Sequence, residues 1–338
     1  MQEFEIIKKY FAPLSAGFSG ALELCDDSAV FTPPAGHELV ITKDAISEGV
    51  HFIGSESADL IAGKALRVNL SDLAAMGATP ICYFLALILP KNTPEEWVQK
   101  FAQGLRETQS EFGIYLAGGD TISTLGTLTI SITAVGSVPV GGALRRNGAK
   151  IGDDIYVSGT LGDAALGLSS LRGAISDEAI HKISTNWIAT SLIAPRNDEY
   201  IIARYLTPEP RLFLGQELRG IANACMDISD GLVQDLGHIC QASKVGAVIY
   251  PDKIPLSEAA VLFCQTPQQV RGDNNSALES AISGGDDYEL LFTAPPEKAN
   301  LIPKNCTKIG QITAGKNVQI IDKNGKEITL SRKGFSHF

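Results

Sequence analysis

Aspartates dominate the positions at which this sequence could do chemistry. Asp26 and Asp27 stand in L-C-D-D-S-A-V, Asp44 in T-K-D-A and Asp72 in N-L-S-D-L-A-A-M-G-A. Asp120 follows in A-G-G-D-T, and Asp227 and Asp230 share D-I-S-D-G-L. They fall where apolar, strand-like runs end or helices begin. Taken singly, such a residue is a helix cap or a turn former. Taken together, carboxylates gathered at one sheet edge repel one another unless cations neutralise them. Hard oxygen donors suit Mg²⁺, which prefers one or two carboxylates plus phosphate oxygens. Gly118-Gly119 and Gly284-Gly285 would let backbone N–H groups approach those phosphates. Arg145 and Arg146 offer guanidinium clamps for a nucleotide phosphate, or else an ordinary solvated basic turn.

Other phosphate and hydrolase patterns fail. Residues 310–317 read G-Q-I-T-A-G-K-N, one residue from a Walker A loop. Asn317 replaces the hydroxyl that would meet the metal, and residues 318–322 alternate like a strand, whereas a P-loop must open a helix. No G-x-S-x-G, H-E-x-x-H or G-x-G-x-x-G segment occurs.

The elements that must position these residues alternate in type. Strands are expected over 38–43, 81–89, 114–117, 128–138, 154–158 and 289–293. Helices are expected over 58–76, with Gly77 beyond, and over 94–112, with Glu95 and Glu96 in the first turn. Others are expected over 162–171 and over 230–243, the last capped by Ser229. A terminal hairpin is expected to turn at Asn324-Gly325. The basic, glycine-rich run 141–153 reads as a boundary, giving domains of 1–148 and 149–338 in an α/β, mixed α+β chain.

The 338 residues carry 28 basic and 38 acidic side chains, a net charge of −10. Phosphate backbones are repelled by such a surface, so nucleic acid is not an expected partner. The longest apolar run, 81–89, is far short of the roughly 20 residues that span a bilayer, so no membrane association is expected. Six irregularly spaced cysteines, with no C-x-x-C pair, fit reduced thiols and a cytoplasmic location.

The motifs N-L-S-D-L-A-A-M-G-A (69–78), G-G-D-T (118–121) and G-A-L-R-R-N-G-A-K (142–150) resemble those of the thiamine-monophosphate kinases. So do D-I-S-D-G-L-V-Q-D-L-G-H-I (227–239), S-G-G-D-D-Y-E-L (283–290) and the tail K-G-F-S-H-F (333–338). The resemblance implies the two-domain fold of the aminoimidazole ribonucleotide synthetase-like superfamily, dimerising through the N-terminal sheet. It implies transfer of the γ-phosphoryl group of ATP to thiamine monophosphate, with several Mg²⁺ ions and ATP near the interface of a homodimer. Carried over by motif, the metal ligands would be Asp27, Thr42, Asp44, Asp72, Asp120, Asp227 and Asp230. Gly119, Asp120, Arg146 and Ser229 would meet ATP, and His51, Asp286 and Arg332 the substrate. No protein nucleophile or base is expected. A phosphate monoester has its second pKa near 6, so at neutral pH it is already mostly a dianionic nucleophile.

Four positions depart from that pattern. Cys25 replaces a glycine, Lys43 a small hydroxyl residue, Asp286 a glutamate and Arg332 an aromatic residue. Two other readings follow. One is another ATP-using synthetase of the same superfamily, disfavoured because the N-terminal loop lacks that chemistry's reactive cysteine and the chain ends in His337-Phe338. The other is a weakened homologue that binds nucleotide or thiamine phosphates while Lys43 and Cys25 disable the metal cluster.

Overall fold

A computed structural model describes residues 3–174, 197–265, 276–329 and 334. The chain divides into two compact units, Met1–Leu73 with Ala78–Gly141 and Ala74–Gly77 with Gly142–Phe338.

The first unit is built on β1 (His37–Ser47), α1 (Ala58–Ala75), β2 (Thr79–Pro90), α2 (Glu95–Phe112), β3 (Tyr115–Thr124) and β4 (Thr129–Pro139). The strands form one sheet in the order β1-β4-β2-β3, antiparallel except for the β2–β3 pair. Strand residues alternate between faces. Tyr83, Leu85 and Leu87 are buried, and the Tyr83 hydroxyl donates to Gln109 on α2, which marks theirs as the helix-covered face. The opposite face is covered near β2 and β3 by the N-terminal segment, where Phe18 and Phe31 pack against Cys82, Ala117 and Val135. Toward β1 it is open, leaving Leu39 and Ile41 exposed. α2 ends where Gly113 enters the left-handed region at φ 65°, a conformation that suits glycine.

The second unit contains β5 (Asp154–Ser158), α3 (Asp163–Ala174), α4 (Asn197–Leu206), α5 (Leu212–Glu217), β6 (Ala224–Asp227) and α6 (Leu232–Ser243). β7 (Gly246–Ile249), α7 (Glu258–Gln265), α8 (Ala277–Ser283), β8 (Leu290–Ala294), β9 (Cys306–Thr313) and β10 (Val318–Ile320) follow. Its sheet runs β10-β7-β9-β5-β8-β6, parallel only between β10 and β7. Every residue of β5, β6 and β8 is buried, so these strands lack the alternation of a half-exposed sheet and carry Asp154, Ser158, Asp227 and Thr293 into the interior. Val157, Met226, Leu236 and Leu291 belong to one core cluster.

Two local expectations shift and two hold. The G-G-D-T segment lies inside β3 rather than at its end, because a Cβ on Gly119 would stand 2.0 Å from the Leu85 carbonyl oxygen, so only glycine lets the two strands approach. α6 starts at Leu232, and Ser229 does not cap it. Instead the Asp235 carboxylate reaches back to accept from the backbone N–H groups of Ser229, Asp230 and Gly231. The near-Walker segment is the end of β9 and the turn into β10, with no helix after it, and Asn324-Gly325 does reverse the chain, with Gly325 at φ 79°.

Candidate functional site

Strand parity decides which of the expected ligands meet. On β1, Thr42 lies opposite Ala134 and Asp44 opposite Ile132, both buried on the helix-covered face. Asn69 and Asp72 stand three residues apart on α1, so they share one side of that helix. The Thr42 hydroxyl donates to Asp72 Oδ2 at 2.5 Å, and the Asp44 N–H donates to Asn69 Oδ1 at 3.1 Å. Thr42, Asp44 and Asp72 therefore form one oxygen-rich group. Asn69 is 1% exposed and also donates to the Ala65 carbonyl, so it ties β1 to α1. The sequence reading had not singled it out. His51 follows in the turn after β1, where its Nδ1 accepts from the Ser47 N–H, which puts any proton of the neutral ring on Nε2.

Lys43 points the other way. It pairs with Thr133 in the ladder and donates to Ser131 Oγ at 2.9 Å on the open face. Its ammonium is thus held away from the Thr42 and Asp44 side chains. Cys25 has φ −104° and ψ −1°, ordinary right-handed backbone that needs no glycine. Neither substitution disables the oxygen group by geometry. We expect Lys43→Thr to leave Mg²⁺-dependent ATP affinity within about threefold of wild type by calorimetry. A gain of tenfold or more would show that the ammonium had occupied a cation position.

A second group lines a cavity of about 480 Å³ between the N-terminal segment and β3. Asp26, Asp27, Gly119, Asp120 and Thr121 border it, with Phe11, Leu24, Phe84 and Leu116 as apolar wall. Asp27 and Asp120 are exposed there. β1 and β3 are the two edge strands of this sheet, their backbones three strand spacings or about 14 Å apart.

The third group belongs to the second unit. Asp227 ends β6 and is 4% exposed, while Ser229 and Asp230 precede α6 half-buried. The S-G-G-D-D-Y-E-L segment runs alongside them: the Asp286 N–H donates to Ser229 O, and the Tyr288 N–H to Ile228 O. A Cβ on Gly285 would lie 2.4 Å from Ser229 O, so the glycine serves this contact between loops. Asp286 thereby stands beside Ser229 and Asp230. Asp230, Asp235 and His238 present ligand atoms within 4.8 Å of one another. Burial pushes the Asp235 carboxyl up to about 7, against the lowering by its backbone donors. Arg146 has its backbone anchored away from this group and an exposed side chain. Its carbonyl accepts from Ser243 at the far end of α6, about 18 Å along the helix from Ser229. Arg332 falls outside the described residues.

Below Asp286 is a buried ionic set that no motif announced. Glu289 is 0% exposed, and it accepts from Arg204 at 2.7 Å, from Arg211 at 2.6 and 2.8 Å, and from Ser158. Asp287 accepts from the Gly162 N–H through both oxygens, and burial holds its carboxyl well above the usual range. The signal available in the sequence was the alternation D-D-Y-E ahead of an apolar strand, which buries every second acid.

Two family models match the chain, one over most of each unit. AIR synthase related protein, N-terminal domain, matches residues 25–138, and AIR synthase related protein, C-terminal domain, matches 150–323. The thiamine-monophosphate kinase of Caulobacter vibrioides is 39% identical over 343 residues, covering 99% of this chain and 90% of that protein. The crystal structure of thiamine-monophosphate kinase from Stenotrophomonas maltophilia K279a is 39% identical with TM-score 0.76, covering 90% and 91% of the two chains. AaThiL complexed with AMPPCP and TMP is 32% identical with TM-score 0.77, covering 93% and 91%. The chain belongs to the thiamine-monophosphate kinase family.

Proposed function

We propose that this chain transfers the γ-phosphoryl group of ATP to thiamine monophosphate and releases thiamine diphosphate. The observation that carries this reading is the full-length likeness to a relative that holds AMPPCP and TMP together. The acceptor phosphate is already a dianion at neutral pH. The protein must therefore orient two anionic reactants in line and cancel their charge, without supplying a nucleophile or base.

Mg²⁺ ions would be held by Asp27, Thr42, Asp44, Asp72, Asp120, Asp227 and Asp230. The donor set fits: every donor is a hard oxygen, and two of them, Thr42 Oγ1 and Asp72 Oδ2, already stand 2.5 Å apart. When bound, the metal supplies cancellation of phosphate charge. Gly119, Asp120, Arg146 and Ser229 face ATP, and His51, Asp286 and Arg332 face thiamine monophosphate. The protein works as a homodimer joined through the N-terminal sheet. Two features support this: the exposed Leu39, Ile41 and Ile122 on that sheet, and the placement of its expected donors on opposite edge strands, β1 and β3. It is a cytoplasmic protein and takes no nucleic acid. Its six cysteines form no disulfide, and no helix among the described residues is long and apolar enough to cross a membrane.

Incubation with ATP, Mg²⁺ and thiamine monophosphate should give the diphosphate resonances of the product by ³¹P NMR. Chelation of divalent metal should stop turnover and weaken ATP binding at least about tenfold, since the uncompensated carboxylates then repel the triphosphate. ATP affinity unchanged by chelation would refute the metal-bridged reading.

A further inference from the structure

We infer that Tyr288 is the positioning residue for Asp286, its hydroxyl aiming the carboxylate at the substrate's organic cation and so setting affinity for thiamine monophosphate. The inference rests on the reading above, in which Asp286 meets the substrate.

Three observations converge on it. First, the Tyr288 hydroxyl donates to Asp286 Oδ1 at 3.1 Å, two residues away in sequence. Second, this contact needs an unusual backbone. Asp286 has φ 66° and Tyr288 φ 51°, both left-handed, and a bulky residue in that region is a genuine outlier. Such conformations persist only where surrounding structure over-determines them, and they gather at ligand sites. Third, the over-determining structure is present. Asp286 and Tyr288 are pinned through their N–H groups to Ser229 O and Ile228 O, both at 2.8 Å. The alternate residues are fixed beneath, Asp287 by Gly162 and Glu289 by Arg204, Arg211 and Ser158. Tyr288 itself is 8% exposed, so its ring is packed while its hydroxyl meets the half-buried carboxylate.

The chemistry gives the arrangement a purpose. The organic part of thiamine monophosphate carries a fixed positive charge on its thiazolium ring. A carboxylate attracts it best when its rotamer is set before binding, because ordering a free side chain costs affinity. Asp has a shorter reach than Glu, so the direction of its carboxylate decides more.

The test is a double-mutant cycle read in steady-state kinetics. Tyr288→Phe keeps the packed ring and removes only the hydroxyl. It should raise KM for thiamine monophosphate about fivefold to tenfold, the size of one ordinary hydrogen bond, with kcat and KM for ATP within about twofold. Placed on Asp286→Ala, the same change should add nothing further. An unchanged KM in the single variant, multiplying effects in the double variant, or a parallel fall in kcat and rise in KM for ATP would each overturn the inference. Wild-type protein that makes no thiamine diphosphate counts against the functional reading instead. The same four proteins titrated with thiamine monophosphate by calorimetry then decide the positioning role by Kd. Absence of binding to wild type overturns both.

Discussion

Glu289→Ala is expected to destabilise the second unit by about 3–5 kcal/mol, the usual cost of removing one partner from a buried ionic set. The carboxylate is 0% exposed, and both its oxygens are in use, accepting from Arg204, Arg211 and Ser158. Its removal leaves the buried Arg204 guanidinium without its ion-pair partner, while Arg211 keeps only the exposed Glu209 at 2.8 Å. The damage extends along the chain, because Ser158 Oγ also accepts from the Leu290 N–H that opens β8. Glu289→Gln retains shape and one acceptor, so its cost should be about half as large. Urea denaturation followed by circular dichroism measures both. A loss under about 1 kcal/mol for the alanine variant would mean that the arginines find other partners or water.

The second large effect is on turnover. Asp72→Asn should lower kcat/KM about 100-fold to 1000-fold while leaving the fold intact, because it removes negative charge and not volume. Asp72 is half-buried on α1 and accepts from Thr42 on β1, so one change alters a donor and the hydrogen bond that fixes it. Thr42→Val, which removes the supporting hydroxyl and keeps the β-branched shape, should cost about 10-fold to 100-fold. Steady-state assays across Mg²⁺ concentrations distinguish the cases: a lost metal donor shifts the Mg²⁺ requirement upward. Activity within threefold of wild type in Asp72→Asn would remove this aspartate from the metal set.

What could be read from the sequence was whatever depends on local pattern. The apolar periods located α2, β2 and β4 because each buries one regular face, and α1 as a helix buried on almost every side; Gly113 and Gly77 ended helices in left-handed conformations. Residues gathered by strand pairing were harder. Asn69, three positions before Asp72, was quoted in a motif, yet its bond to the Asp44 N–H depends on how β1 lies beside α1. Arg204, Arg211 and Glu289 lie as far as 85 residues apart in sequence and carry no spacing signal, so their convergence comes from tertiary packing alone. Ser229 is a good helix cap by residue type, but Asp235 supplied the acceptor from inside the helix, a competition that local preference does not decide. Thr42, Lys43 and Asp44 were read as one word, and the ladder splits them between two surfaces.

That split bears on how the sequence can drift. Neighbours in the chain along β1 answer to different surroundings, since Thr42 and Asp44 bond to α1 and Lys43 to the hydroxyl pair Ser131 and Thr133. A strand at a sheet edge thus interleaves two independent texts, one written in even positions and one in odd. A lineage can rewrite the open-face text letter by letter, adjusting how this surface meets its surroundings, while the chemistry spelled by the alternate letters stays legible.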